Sequence, residues 1–207
     1  MLLANNISFY RNNSIIFKDV NLALPPQKII NITGANGIGK TTLLKILTHV
    51  LLPKKGSIFW NGKNIKKNLF DYYKDVTFIM DKQTSNINLS VIENIFFWKR
   101  LFSSMISKKE IDAILNLLSL SNYRNTLVNF LSNGETKKLE LARLVIEQKK
   151  LWILDEPYIG LDIDAINLLN ETFINHAKSG GMIIFSSHFI PDIPDLENLH
   201  LENYAHR

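Results

Sequence analysis

Nine residues, Gly34-Ala35-Asn36-Gly37-Ile38-Gly39-Lys40-Thr41-Thr42, constrain this chain more than any others. They follow an apolar run (Ile29, Ile30, Ile32) that reads as a buried strand, and they open a helical pattern, Leu43-Leu44-Lys45-Ile46-Leu47. Strand, glycine-rich turn and helix in that order is the setting that the GxxxxGK[ST] pattern requires. Glycines at 34, 37 and 39 let backbone N–H groups converge on phosphate oxygens, and the helix start adds the positive end of its dipole. In such a loop Lys40 reaches the β- and γ-phosphates, and the Thr41 hydroxyl sits on Mg²⁺. The bland alternative is a loop that only turns a strand into a helix.

The rest of the chain argues against that alternative. Leu151-Trp152-Ile153-Leu154-Asp155-Glu156-Pro157 is a short apolar run ending in two acids and a proline, the pattern of a central parallel strand. A carboxylate at the C-terminal end of such a strand points into the crevice where open α/β sheets bind ligands. There Asp155 can hold Mg²⁺ through water, and Glu156 can orient and deprotonate an attacking water. Strands also end in acids at ordinary surfaces, so the pair gains its weight from the phosphate loop.

Between these segments lies Leu131-Ser132-Asn133-Gly134-Glu135, followed by a helical pattern through Leu139, Leu141-Ala142 and Leu144-Val145. With it the chain resembles the ATP-binding-cassette (ABC) ATPases, whose signature reads LSGGQ. Gly160-Leu161-Asp162 matches that family's D-loop, and Ser186-Ser187-His188 its switch histidine. The elements stand in the family's order, and the resemblance covers nearly the whole chain. It implies a P-loop NTPase fold of the α/β class: a parallel-sheet RecA-like core, an N-terminal antiparallel β subdomain and an α-helical subdomain. It also implies ATP and Mg²⁺ as ligands and a two-fold, head-to-tail pair in which one chain's signature closes over the other's nucleotide. Ser132, Gly134 and Glu135 would then act on the opposite protomer, Asp162 would serve the D-loop, and His188 would contact the γ-phosphate. The adenine would stack on an aromatic about two dozen residues before the loop, where Tyr10 stands. The alternative for Tyr10 is an edge-strand residue packing on its neighbours. The other histidines, His49, His176, His200 and His206, carry no such pattern and read as structural or surface residues.

Three positions depart from the family. Glu135 stands where Gln is usual and brings a negative charge near the phosphate, so closure should weaken unless Lys137 or Lys138 screens it. Asn133 replaces the first signature glycine, and its tolerance of left-handed geometry would permit this. Third, the loop after Phe78-Ile79-Met80 should offer a Gln to Mg²⁺; Gln83 is the candidate, with Lys82 as the alternative occupant of that position.

The layout reads as one domain over 1–207. Residues 1–83 hold the β subdomain and phosphate-loop core, 84–135 the helical subdomain, and 136–207 the rest of the core. Alternation at Ile7, Phe9, Ile15, Phe17, Val20, Leu22 and Leu24 suggests an antiparallel sheet, to which Gly56–Gly62 returns. Helical spacing at Val91, Ile92, Ile95, Phe96 and at Ile111, Ile114, Leu115, Leu118 marks the helical part. Lys54-Lys55 and Lys66-Lys67 read as solvated hairpin edges.

With 46% hydrophobic residues and no cysteine, the 207 residues can bury a core but cannot build a disulfide scaffold or a thiolate metal site. A net charge of +5 is too diffuse to argue for nucleic acid, and it suits a protein beside an anionic membrane face. Met1–Asn6 has no signal-peptide pattern, and no stretch approaches the roughly eighteen apolar residues of a spanning helix. Among cassettes, the compact length, Val91-Ile92-Glu93-Asn94-Ile95-Phe96-Phe97-Trp98, the segment 151–157 and Gly180-Gly181-Met182-Ile183-Ile184 resemble the cytochrome c maturation protein A family. That resemblance implies a membrane complex with separate multi-spanning subunits, in which partners rather than this chain handle heme. It places the chain on the cytoplasmic face of the inner membrane, or on the matrix side if it is organelle-encoded, as heavy use of Ile, Asn and Lys would fit. Phe96-Phe97-Trp98 is the candidate groove for a membrane subunit, against a reading in which two of the three are core. Two other readings stay open: another small exporter's ATP-binding subunit, and a nucleotide-gated dimerisation module with vestigial hydrolysis. A soluble nucleic-acid-binding relative is disfavoured by the mild charge.

Overall fold

The structure, a computed structural model, describes residues 1–12 and 14–205. Strands β1 (Leu2–Arg11) and β2 (Ser14–Leu24) form an antiparallel pair, with Leu2 opposite Leu24 and Tyr10 opposite Ile15. Strand β3 (Ile29–Thr33) runs into the glycine loop and helix α1 (Lys40–Leu47). Strands β4 (Lys55–Trp60) and β5 (Lys63–Asn64) then return to the first sheet, which has the order β2-β1-β4-β5. Helix α2 (Leu69–Asp75) precedes β6 (Val76–Ile79). Helices α3 (Val91–Leu101), α4 (Lys108–Leu117) and α5 (Asn133–Glu147) follow, then β7 (Leu151–Asp155), α6 (Ile163–Lys178), β8 (Met182–Ser186) and β9 (Glu197–His200).

The second sheet is parallel throughout, in the order β6-β7-β8-β3-β9. Its central strands β7 and β8 are buried on both faces because both faces are covered. Successive side chains alternate between two cores. Leu151, Ile153, Met182 and Ile184 join α1 and the antiparallel sheet, whereas Trp152, Leu154, Ile183 and Phe185 join Leu169, Phe173 and Ala177 of α6. The order puts the C-terminal ends of β3, β7 and β8 side by side: Asp155 pairs with Ser186, and Ser187 N–H donates to Ile32 O at 3.4 Å.

A third core, within the helical part, gathers Val91, Ile95, Trp98, Ile111 and Leu115, with Leu139, Ala142 and Ile146 of α5. Each of α3, α4 and α5 starts with a serine capping box, at Ser90–Glu93, Ser107–Glu110 and Ser132–Glu135. Each reciprocal pair satisfies two backbone or side-chain donors at a helix start that would otherwise be orphaned.

Three local expectations need correction. Lys66-Lys67 lies in a short 3-10 turn capped by Asn64, not on a hairpin edge. Of the aromatic triplet only Trp98 is core; Phe96 and Phe97 are 39% and 52% exposed, because positions 96 and 97 face away from the third core. The parallel sheet also gains an edge strand, β9, that the mostly polar run Glu197–His200, with Leu199 as its one apolar residue, does not announce.

Candidate nucleotide site

The loop sits where the sequence predicts it, between β3 and α1. Gly34, Gly37 and Gly39 all have positive φ (145°, 81° and 115°), which L side chains avoid. At Gly39 a Cβ would also lie 2.7 Å from Ile16 Cγ2 and 3.2 Å from the buried Phe17 ring. Ala35, Asn36 and Gly37 are exposed at the mouth, with Ile38, Gly39, Thr41 and Thr42 half-buried behind them.

Lys40 is 7% exposed, and its Nζ donates to Gly34 O at 2.8 Å and to His188 Nε2 at 2.8 Å. An ammonium only donates, so Nε2 is the accepting nitrogen of a neutral imidazole. Glu156 Oε1 stands 3.7 Å from Lys40 Nζ and 3.4 Å from the same Nε2. A nitrogen that accepts from Lys40 cannot also donate to Glu156, and the shorter contact decides in favour of Lys40.

Beside this group the Thr41 hydroxyl donates to Asp155, 2.7 Å from Oδ2, and the Ser186 hydroxyl donates to Asp155 Oδ1 at 2.7 Å. Asp155 is 4% exposed, so these bonds compensate a carboxylate taken almost wholly out of water. Glu156 takes a left-handed φ of 47°. Its N–H donates to Ser186 O and to Ser186 Oγ, both at 3.1 Å. The three strand ends thus bring together Lys40, Thr41, Asp155, Glu156 and His188, five residues from three segments far apart in the chain.

Other predicted positions are placed differently. Tyr10 stands opposite Ile15 near the β1–β2 turn, one residue along from the Ile16 that touches Gly39. Gln83 turns its amide onto Ser85 Oγ at 3.1 Å rather than onto Thr41 or Asp155, and Lys82 is exposed. Ser132 caps α5 and is exposed, while a Cβ at Gly134 would lie 3.0 Å from Gly160 O, so the signature and D-loop pack backbone against backbone. Asp162 caps α6 through Ala165 N–H at 2.8 Å, and the Lys138 ammonium at 2.7 Å, with that cap, holds its carboxyl below the usual range.

The structure corrects the reading of Asn133 and gives Glu135 its partners. Asn133 is the first helical residue of α5 and needs no left-handed geometry. Glu135 is held by Tyr123 and by Ser132 N–H (2.7 Å) and hydroxyl (2.8 Å), which keep its carboxyl below the usual range; Lys138 adds to this, but Lys137 points elsewhere. A carboxylate in a capping box favours a helix start. Of the dismissed histidines, His49 is half-buried, and His176 stacks on Trp152 at 3.6 Å between centroids. His200 Nδ1 meets Thr33 Oγ1 at 2.9 Å, and His206 lies outside the described residues.

Three contributors were missed. Lys137, 9% exposed, donates to Glu156 O at 3.0 Å. Burial lowers its pKa, against the opposing pull of Asp81, Asp155, Glu140 and Glu156. Asp81 is the second, through that charge. Glu202, from the 3-10 turn after β9, accepts from Ala35 N–H at 2.8 Å. A signal existed for Lys137: Lys137, Glu140, Arg143 and Glu147 recur at helical spacing in a helix otherwise rich in core residues.

No helix among the described residues is long and apolar enough to cross a membrane, and none of their His, Asp and Glu side chains group in threes as a metal cluster.

Comparison with known proteins agrees with this architecture. Residues 17–159 match the family model for ABC transporters. A cytochrome c biogenesis ATP-binding export protein, CcmA, from Reclinomonas americana is 38% identical over 90% of this chain and 84% of its own length. A putative ABC transporter ATP-binding protein from Pyrococcus furiosus superposes with a TM-score of 0.86, at 25% identity over 99% of both chains. An ATP-binding cassette solved as a dimer in a post-hydrolysis state, with ADP and Pi, shares the fold at a TM-score of 0.77 and 19% identity, covering 97% of this chain and 94% of that one. The chain belongs to the ABC transporter family and, within it, to the cytochrome c biogenesis ATP-binding export proteins.

Proposed function

We propose that this chain, an ABC-type ATPase by family, supplies the ATP hydrolysis of a membrane complex for cytochrome c biogenesis and heme export. The observation that carries the chemistry is the meeting of Lys40, Thr41, Asp155, Glu156 and His188 at three adjacent strand ends. Gly34 to Thr42 would cradle the phosphates, with Lys40 leaving Gly34 O and His188 to bind the β- and γ-oxygens. Glu156 would orient and deprotonate the attacking water, and His188, released from Lys40, would present a nitrogen to the γ-phosphate. Tyr10 would face the adenine.

Thr41 and Asp155 would hold Mg²⁺ with water and phosphate oxygens. Two hard oxygen donors and no protein cage suit this ion, which keeps most of its waters. Mg²⁺ would supply charge neutralisation on the phosphates. Gln83 would have to turn away from Ser85 to join it.

A two-fold pair is supported by the exposed Ser132, whose side chain bonds within its own capping box to Glu135, and by the fold shared with a dimeric cassette. In the pair Ser132, Gly134 and Glu135 would meet the partner's γ-phosphate, and Asp162 would lie near the junction. The division into 1–83, 84–135 and 136–207 is proposed as the working partition, with the helical part borrowing Leu139, Ala142 and Ile146. Exposed Phe96 and Phe97, with Leu89, Glu93 and Arg100, would receive a multi-spanning membrane subunit on the cytoplasmic or matrix face. Heme would be handled by those partners, and no nucleic acid is expected.

The test is affinity purification from the native membrane. Recovery of multi-spanning subunits together with heme-handling cytochrome-maturation proteins is expected. Recovery of an unrelated permease would discard the heme assignment, and exclusively soluble protein would discard the membrane complex.

A further inference from the structure

Helix α5 carries four buried charged residues at 137, 140, 143 and 147, on one stripe of the helix. Arg143 pairs with Glu147 (Nη2 to Oε1, 2.7 Å), and Glu147 accepts from the Thr77 hydroxyl of β6 at 2.8 Å. Glu140 accepts from the N–H groups of Thr84 and Ser85, at 2.8 and 2.6 Å. These three tie α5 to β6 and to the loop that follows it. Lys137 alone reaches forward, to the carbonyl of Glu156.

That carbonyl belongs to a residue in left-handed backbone, a conformation that a non-glycine residue keeps only when its surroundings hold it. Ser186 of β8 holds the N–H side through two contacts; the carbonyl side accepts from Lys137 at 3.0 Å and, more weakly, from the Ile159 N–H of its own turn at 3.4 Å. The two peptides that flank the Glu156 Cα and set the direction of its side chain are therefore held from β8 on one side and from α5 on the other. We propose that Lys137 is a positioning residue for Glu156, fixing the turn that aims its carboxylate at Lys40 and His188 and tying that aim to the seating of the helix that begins at Ser132. The inference rests on Glu156 being the general base.

A lysine fits this place physically. Its burial costs hydration, and Asp155, Glu156, Asp81 and Glu140 return opposite charge around it. Methionine would keep most of the bulk and remove the donor, while arginine would keep both donor and charge.

The experiment compares Lys137→Met, Lys137→Arg and Glu156→Gln by ATPase kinetics on the full chain within its isolated membrane complex, alongside ADP affinity and thermal melting. A base moved off its line loses about 10- to 100-fold in kcat without losing ground-state binding. Lys137→Met should therefore drop kcat by about that factor, with KM and ADP affinity within roughly threefold of wild type, and Lys137→Arg should recover most of the rate. Wild-type kcat in Lys137→Met would overturn the proposal, as would a loss in which KM and ADP affinity collapse in step with kcat. If Lys137→Met does not fold, Lys137→Arg is decisive: turnover near wild type supports the proposal, and turnover as low as Glu156→Gln overturns it. Wild-type hydrolysis by Glu156→Gln would sink the base assignment itself. An inert Glu156→Gln beside a fully active Lys137→Met sinks only the positioning role.

Discussion

His176 makes the protein's stability depend on pH through the way its ring is buried. Its ring lies flat on Trp152, 6° from parallel, with Nε2 3.2 Å from Lys150 O. It also fills the space beside Gly181, where a Cβ would lie 2.2 Å from Nε2. Burial lowers its pKa from 6.5 to about 4, against the raising effect of the Lys150 carbonyl. The folded protein thus binds fewer protons than the unfolded chain between these values. Stability is complete above pH 6.5 and is lost as the pH falls toward 4. At 1.36 kcal/mol per pH unit the gap is worth roughly 3 kcal/mol, which solvent screening of a half-buried ring reduces to about 2. For a domain of this size that is a fall in Tm of about 4–8 °C between pH 7 and pH 4.5. The assay is thermal melting of wild type and His176→Phe across that range, since phenylalanine keeps the stack and cannot titrate. The variant should lose several degrees less than wild type on acidification. Parallel curves would refute the reasoning.

Two further predictions concern the site. Gly39→Ala puts a methyl into Ile16 and Phe17 at a φ of 115°, so it should cost about 2–3 kcal/mol of stability and weaken ADP binding, read by melting and by nucleotide titration; wild-type values for both would show the loop to be more pliable than it is drawn here. Glu140→Ala strips the Thr84 and Ser85 N–H groups of their acceptor and leaves Arg143 with one carboxylate, at about 2–4 kcal/mol. Hydrogen exchange should then speed up in residues 81–86 before it does in β7, and uniform acceleration would argue against a local role.

The phosphate loop and the acids ending β7 were legible because their chemistry is local in sequence: glycines at fixed spacing, and a carboxylate pair after a buried run. The parallel sheet was legible for the same reason, since β3, β7 and β8 are short apolar runs. What the sequence did not carry is side-chain direction between elements. Gln83 satisfies the spacing of the loop after β6, but Glu140, 57 residues later, accepts from that loop's N–H groups and the amide turns onto Ser85. Glu135 showed its charge in the sequence, but its capping partners, Ser132 and Tyr123, and the nearness of Lys138 are set by the fold. β9 hid because an edge strand that is exposed on most of its residues needs no apolar pattern.

The measurement that bears most directly on the central claim is single-turnover ATP hydrolysis by Glu156→Gln in the isolated complex, with ATP binding followed in the same samples. The account predicts ATP bound about as tightly as by wild type and hydrolysis slowed by about a hundredfold or more, from loss of the general base. Hydrolysis at the wild-type rate would contradict it, because Glu156 would then not be the base.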